Sequence, residues 1–195
     1  DMLTLQAYVY PVDSGNRRLS LFSLRDVFEI SLEPLQDVKG CFGLRSNFLE
    51  TGVFVDTLEV GSWQHISWAM RLDSADGVVV SDYYRDGQLR RSNVLNVLGL
   101  DTLVSGRDLV FLVGASSDTA QNFRGYIDEV RVWNTILDPA IIAKSYNRYI
   151  SCRELNLRAY YRCNEPSIDV VFDISSRENQ FGNRDGSLGV GVTHS

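Results

Sequence analysis

The chain has 195 residues, 44% of them hydrophobic and 23% charged, and its 25 acidic against 19 basic side chains leave a net charge of −6. That length suits one large all-β domain with a full core. The acidic balance, with Arg17-Arg18 and Arg90-Arg91 as the only basic doublets, argues against a nucleic-acid partner, and no apolar run approaches the ~18 residues that would cross a membrane.

Leu3, Leu5, Ala7 and Val9 alternate with Thr4, Gln6, Tyr8 and Tyr10, the period-two pattern of a half-buried strand, and Pro11 ends it. Residues 19–24 and 27–33 read as two short strands around an Arg25-Asp26 turn, and 40–45 and 52–58 as the next pair. Trp63 to Leu72 reads as a long central strand, followed by a turn at Ser74-Ala75-Asp76-Gly77. Val78 to Arg85, Asp86-Gly87, and Gln88 to Arg91 form the strongest hairpin, because Asp-Gly supplies the two positive-φ residues of a type I′ turn. Residues 94–108 are less regular and read as a long loop. Leu109 to Gly114 is a continuous apolar run, expected to be a strand buried on both faces, and Ser116 to Gln121 reads as loop.

Phe123 to Asn134 reads as a strand in which Ile127 and Val130, three apart, break alternation. A β-bulge near Asp128-Glu129 would return both to the core. The one good helix signal follows, with Asp138 as N-cap and Pro139 as first helical residue; Ile142, Tyr146 and Tyr149 share a face. Leu155 to Arg162 and Val170 to Phe172 are further strands, and the glycine-rich end is loop or tail. The whole reads as an all-β, two-sheet antiparallel sandwich with one short helix near residues 139–149.

Five segments, in order, resemble the laminin-G/pentraxin-like branch of the concanavalin A-like jelly rolls. Leu5-Gln6-Ala7-Tyr8-Val9-Tyr10-Pro11 resembles its early strand, with Gln6 and Tyr8 in place of the usual Glu and Trp. Trp63-Gln64-His65-Ile66-Ser67 is similar to a Trp-x-His-Val-Ala strand, and Tyr84-Arg85-Asp86-Gly87 to a Tyr-x-Asp-Gly hairpin. Phe123-x-Gly125-x-Ile127-Asp128-Glu129-Val130-Arg131-Val132-Trp133-Asn134 matches best. Leu157 to Glu165 with Phe172-Asp173-Ile174-Ser175-Ser176 resembles the closing segment. The resemblance implies one jelly-roll domain over residues 1–195. The start at Asp1, nearly inside a strand, leads us to expect a piece of a longer polypeptide.

The chain shows no alternating carboxylate pattern of the kind that gives a glycosidase its nucleophile and acid/base. Asp128 and Glu129 are adjacent and read more readily as bulge-stabilising carboxylates that accept backbone or arginine hydrogen bonds. His65 and His194 are the only histidines; His65 lies between two tryptophans and reads as a core or hydrogen-bonding histidine. Many relatives carry a structural calcium near the closing loop, so the resemblance implies Ca²⁺ at Asp173, with Asn179 and carbonyls around Gly182, and less strongly at Asp128; Ser176-Arg177-Glu178 departs from the usual small residues, and Asp173 as a simple turn cap is the plainer reading. Tyr83, Tyr84 and Tyr8 would stack on sugar rings if exposed, against a plainer reading as cross-strand packing. The loops 93–108 and 116–122 are candidate contact surfaces. Cys152 and Cys163 are close enough in sequence to bridge, leaving Cys41 free; a buried, reduced Cys163 on the inward face of its strand is equally open.

The expected function is a non-catalytic recognition module, for carbohydrate or protein, in a larger extracellular or cell-surface protein. Its partners would be a glycan or protein ligand and other domains of the same polypeptide, with no nucleic acid and no membrane insertion. The alternative is a structural interaction module of a multi-protein assembly that binds no sugar. A glycan-active enzyme is less expected.

Overall fold

The computed structural model describes residues 2–12, 17–24, 27–35, 40–48, 51–73, 76–96, 110–115, 121–165, 170–175 and 186–187. The expectations for Arg25-Asp26, Ser74-Ala75, residues 97–109 and 116–120, Asn179, Gly182 and His194 fall outside that set, as does the side chain of Cys41.

The strands in chain order are β1 (Met2–Pro11), β2 (Leu19–Leu24), β3 (Phe28–Pro34), β4 (Cys41–Phe48), β5 (Thr51–Glu59), β6 (Gln64–Asp73), β7 (Val78–Arg85), β8 (Gln88–Asn96), β9 (Phe111–Val113), β10 (Gly125–Trp133), β11 (Leu157–Tyr161), β12 (Val170–Val171) and β13 (Gly186–Ser187). One helix, α1 (Pro139–Ser145), lies between β10 and β11. A six-stranded sheet in the order β11-β10-β1-β6-β7-β8 faces a five-stranded sheet in the order β5-β4-β3-β2-β9, and β12 pairs with β13. The main ladders are antiparallel, and the architecture is a jelly-roll sandwich.

Between the sheets, Leu5, Ala7 and Val9 of β1 with Trp68 and Met70 of β6 join a buried core with Phe22, Ile30, Leu32 and Leu44 of the opposing sheet. Each fully buried Leu, Ile or Phe contributes about 1.5–3 kcal/mol, so this layer holds the sheets together. The Asp86-Gly87 turn has φ of 50° and 76°, and it joins β7 to β8 as its residues demand. Asp138 caps α1 by accepting the Ala140 N–H at 2.7 Å, and Pro139 sits in the first turn.

The bulge in β10 is present. Gln6 pairs with Arg131 and Tyr8 with Asp128, so β10 spends one extra residue against β1, and Glu129 takes φ 52°. A second irregularity lies where Val132 pairs with Ala159 but Trp133 pairs with Leu157. It moves Leu157 onto the outer face of the sheet, whereas Tyr161 and Cys163 pack toward the inner core.

Two expectations need correction. The 109–114 run is not buried on both faces: β9 bonds to β2 alone among the described strands, and as an edge strand it leaves Val113 exposed. β1 is not half-buried either, since Thr4 and Gln6 are as buried as Leu5 and Ala7. The reason is a third layer, residues 134–156 around α1, which covers the middle of the outer face of the six-stranded sheet.

Candidate functional site

Five cross-strand rows through β1 line the outer face of the six-stranded sheet, because paired residues share a face; the Met2–Arg71 row lies exposed at one end, and the other four bear on the site. Thr4 lies between Trp133 and Ala69; Gln6 between Arg131 and Ser67; Tyr8 between Asp128 and His65; and Tyr10 opposite Tyr126. The first three of these four lie beneath the α1 layer. Thr4 Oγ1 donates to the Thr135 carbonyl at 2.7 Å and accepts the Leu137 N–H at 3.1 Å. Trp133 Nε1 donates to Gln6 Oε1 at 3.1 Å. Ile142 and Leu137 pack on Ala69, Tyr84 and Trp133. Tyr8 donates its hydroxyl to the Tyr146 carbonyl at 2.5 Å.

An ion network fastens the end of this layer. Arg131, fully buried, meets Glu129 Oε2 at 2.9 Å and donates to the carbonyls of Ser145 at 3.2 Å and Arg148 at 2.7 Å. Glu129 also accepts from the Tyr160 hydroxyl and from Arg162 Nε at 3.4 Å. Burial and the Glu129 carboxylate push the Tyr160 hydroxyl up to about 12. Arg162 stacks over the Tyr149 ring, 4.4 Å from its centroid. Asp128 accepts the Glu129 N–H at 2.8 Å, and burial raises its carboxyl above the usual range. The pair therefore serves the bulge and the arginines. His65 is buried edge-on to Tyr8 at 5.1 Å, close to Tyr146, and neither ring nitrogen has a hydrogen-bond partner among the described residues. Burial, then the nearby Arg131 charge, holds its pKa down to about 3, so it is a neutral core residue.

The tyrosines picked out for sugar stacking are not on an open face. Tyr83 points into the sandwich, 0% exposed and 5.0 Å from Trp68, while Tyr84 is 3% exposed beneath α1. Tyr8 is half-buried and spends its hydroxyl on Tyr146. Cross-strand packing and the α1 layer have claimed all three.

The metal candidates are dispersed in role. Asp173 Oδ1 accepts the N–H groups of Tyr160 and Ser175, both at 2.9 Å, which is the turn-capping arrangement. Asp128 is in the bulge. Among the described residues no group of three or more His, Cys, Asp and Glu could hold a metal ion. Calcium takes roughly six to eight oxygens, so Asp173 and Asp128 do not fit it by themselves. Cys152 and Cys163 are free thiols, and burial pushes Cys163 up to about 12.

The Tyr10 row is different. The α1 layer reaches across the face only as far as the Tyr8 row, where the Tyr146 carbonyl accepts the Tyr8 hydroxyl, and Trp63 and Tyr126 beyond that row are exposed. There Tyr10, Tyr126 and Trp63, in the turn just before β6, form a cluster with centroid separations of 5.6 Å (Tyr10 to Trp63), 5.7 Å (Tyr10 to Tyr126) and 6.4 Å (Trp63 to Tyr126). Trp63 is 49% exposed and Tyr126 46%, whereas Trp68 and Trp133 are buried. The chain crossing is fixed by backbone bonds from Gly61 N–H to the Pro11 carbonyl at 2.9 Å and from Val12 N–H to the Arg124 carbonyl at 3.0 Å. Sequence reasoning missed this cluster. The signal was present, since Tyr10 and Tyr126 both adjoin strand ends, but β1–β10 register is needed to bring them together.

A jelly-roll sandwich with one face roofed over its middle and an aromatic cluster at an open end defines the class of scaffold. The chain belongs to the concanavalin A-like lectin/glucanases superfamily: the Laminin_G_3 family model matches residues 1–143. Among curated proteins none matches the sequence. Solved structures share the fold at low identity. A candidate carbohydrate-binding protein from Bacteroides ovatus superposes with TM-score 0.66 at 16% identity, over 88% of this chain and 49% of its own, so the chain spans about half that protein. A SAP-like pentraxin from Limulus polyphemus gives 0.56 at 19% identity, over 80% of this chain and 72% of its own. The CBM40 of the Ruminococcus gnavus IT-sialidase, bound to α2,3-sialyllactose, gives 0.52 at 15% identity, over 75% of this chain and 83% of its own.

Proposed function

We propose that the chain is a non-catalytic carbohydrate-recognition module of a larger extracellular or surface protein. The observation that carries this reading is the half-exposed Tyr10–Trp63–Tyr126 cluster, held by strand pairing at an uncovered end of a sheet face. Such rings offer apolar faces to sugar C–H groups and polar tips to hydroxyls, at little entropic cost when the backbone is fixed. The carbohydrate-binding relatives of the fold are consistent with it. The non-catalytic part is supported by Glu129, which is buried and tied to Arg131, Tyr160 and Arg162. A glycosidase needs two carboxyl groups free to flank one bond, about 5–9 Å apart.

A glycan array tests the reading: binding to defined sugars that is lost in Trp63→Ala supports it, and silence across the array overturns it. A second reading, a protein-docking module, draws on Ile141, Tyr149 and Leu155, all exposed in and after α1. It predicts a silent array.

A further inference from the structure

Strand register sets a carboxylate near the aromatic cluster, and its hydrogen-bonding capacity is not fully spent. Asp128 sits on the same face as Tyr126, two residues along β10, and pairs across the strands with Tyr8, which is two residues from Tyr10. Residues so related line one face at neighbouring positions. One Asp128 oxygen takes the Glu129 N–H; the other has no donor among the described residues. The two cations whose charges act on Asp128, Arg162 and Arg131, are both bonded to Glu129, and Arg131 is fully buried. By strand register, therefore, a half-buried carboxylate lies beside the cluster with one oxygen that takes no donor among the described residues.

Resting on the carbohydrate reading, we propose that the cluster takes one ring of an uncharged pyranoside, stacked on Trp63, and that Asp128 selects it by accepting hydrogen bonds from its hydroxyls.

The geometry fits a single ring rather than an extended chain. The three aromatic planes are inclined to one another by 43° to 68°, so no two of them form one flat platform for successive sugars. Trp63, the most exposed of the three, offers the available face. A carboxylate accepting from hydroxyl groups makes charge-assisted bonds, and partial burial strengthens them because less water competes. The same carboxylate disfavours an anionic sugar, which would bring a like charge toward it. An acidic ligand would instead need Arg124, exposed one residue ahead of β10.

The experiment uses the emission of the intact chain. It has three tryptophans, and Trp63 alone is exposed, so iodide quenching reports chiefly on Trp63. The probes are the methyl glycosides of glucose, galactose, mannose and N-acetylglucosamine, with 3′-sialyllactose as the anionic comparison. A neutral glycoside should shield Trp63 and shift its emission to the blue, and 3′-sialyllactose should bind at least about tenfold more weakly. Asp128→Asn keeps an oxygen for the Glu129 N–H, so the bulge survives while the acceptor oxygen is lost; it should weaken neutral binding about tenfold with little change in melting temperature. If no probe alters Trp63, the carbohydrate reading falls and this proposal with it. If sugars shield Trp63 but Asp128→Asn binds them as well as the native chain, or if 3′-sialyllactose binds best and Arg124→Ala abolishes it, the carbohydrate reading stands and this proposal is overturned.

Discussion

His65 is a buried imidazole kept neutral by its surroundings, and that makes stability depend on pH. Its folded pKa of about 3 lies below the ordinary 6.5. Between those values the unfolded chain binds a proton that the folded chain refuses, so unfolding gains as pH falls. The stability is fully present above 6.5 and is lost progressively toward 3. From about pH 6.5 to about pH 5, before most carboxylates titrate, the loss should be about 2 kcal/mol. His65→Phe should flatten that segment in urea titrations, and an unchanged slope would assign it to another group. The Glu129–Arg131 pair makes a separate prediction. Arg131→Ala leaves the buried Glu129 carboxylate only the more exposed Arg162 as a cation among the described residues, and it releases the Ser145 and Arg148 carbonyls. Removing one partner of a buried pair costs about 3–5 kcal/mol, measurable as a fall in the urea midpoint. Replacing both residues by apolar ones of similar size should cost less.

At the scale of elements, Gly125 decides whether β1 and β10 can meet beside the aromatic cluster. A Cβ there would lie 2.0 Å from the Tyr10 carbonyl oxygen, and the backbone φ is 144°. Backbone cannot yield as a flexible side chain can, so Gly125→Ala should separate the strands at the Tyr10–Tyr126 pair. We expect at least about 2 kcal/mol of destabilisation and loss of sugar binding together, checked by thermal melting and Trp63 emission; a stable variant that still binds would contradict the strand-pairing account. Features set by local chemistry were legible in the chain: the Asp86-Gly87 turn, the Asp138-Pro139 helix start and the bulge signalled by Ile127 and Val130. The exposed faces were not. Alternation separates Tyr83 from Tyr84 and assigns them opposite sides, but it does not say what covers each side. Tyr83 met the opposing sheet and Tyr84 met α1, so both were lost as ligand contacts. Trp63 read as the first residue of a strand, and only the turn before β6 sets it beside Tyr10 and Tyr126.

At the scale of the molecule, the family match over residues 1–143 and the structural unit are not the same length. The six-stranded sheet continues through β11, which pairs along β10 from Val130↔Tyr161 to Trp133↔Leu157. Beyond residue 143 lie Tyr146, whose carbonyl accepts from Tyr8, the Arg148 carbonyl held by Arg131, and the Tyr160 and Arg162 side chains that complete the shell of Glu129. A chain ending at residue 143 would keep the inter-sheet core but expose the edge of β10, and it would leave the Glu129–Arg131 pair partly unroofed. Unpaired edges invite association, and half-satisfied buried ions cost more than their pairing returns. The truncated chain should therefore melt well below the full chain and elute as aggregates in gel filtration, with native-like Trp68 burial lost on the same transition. A monomer of unchanged melting temperature would show instead that β11 and the Tyr146–Arg162 shell are an addition to the sandwich, not part of what holds it together.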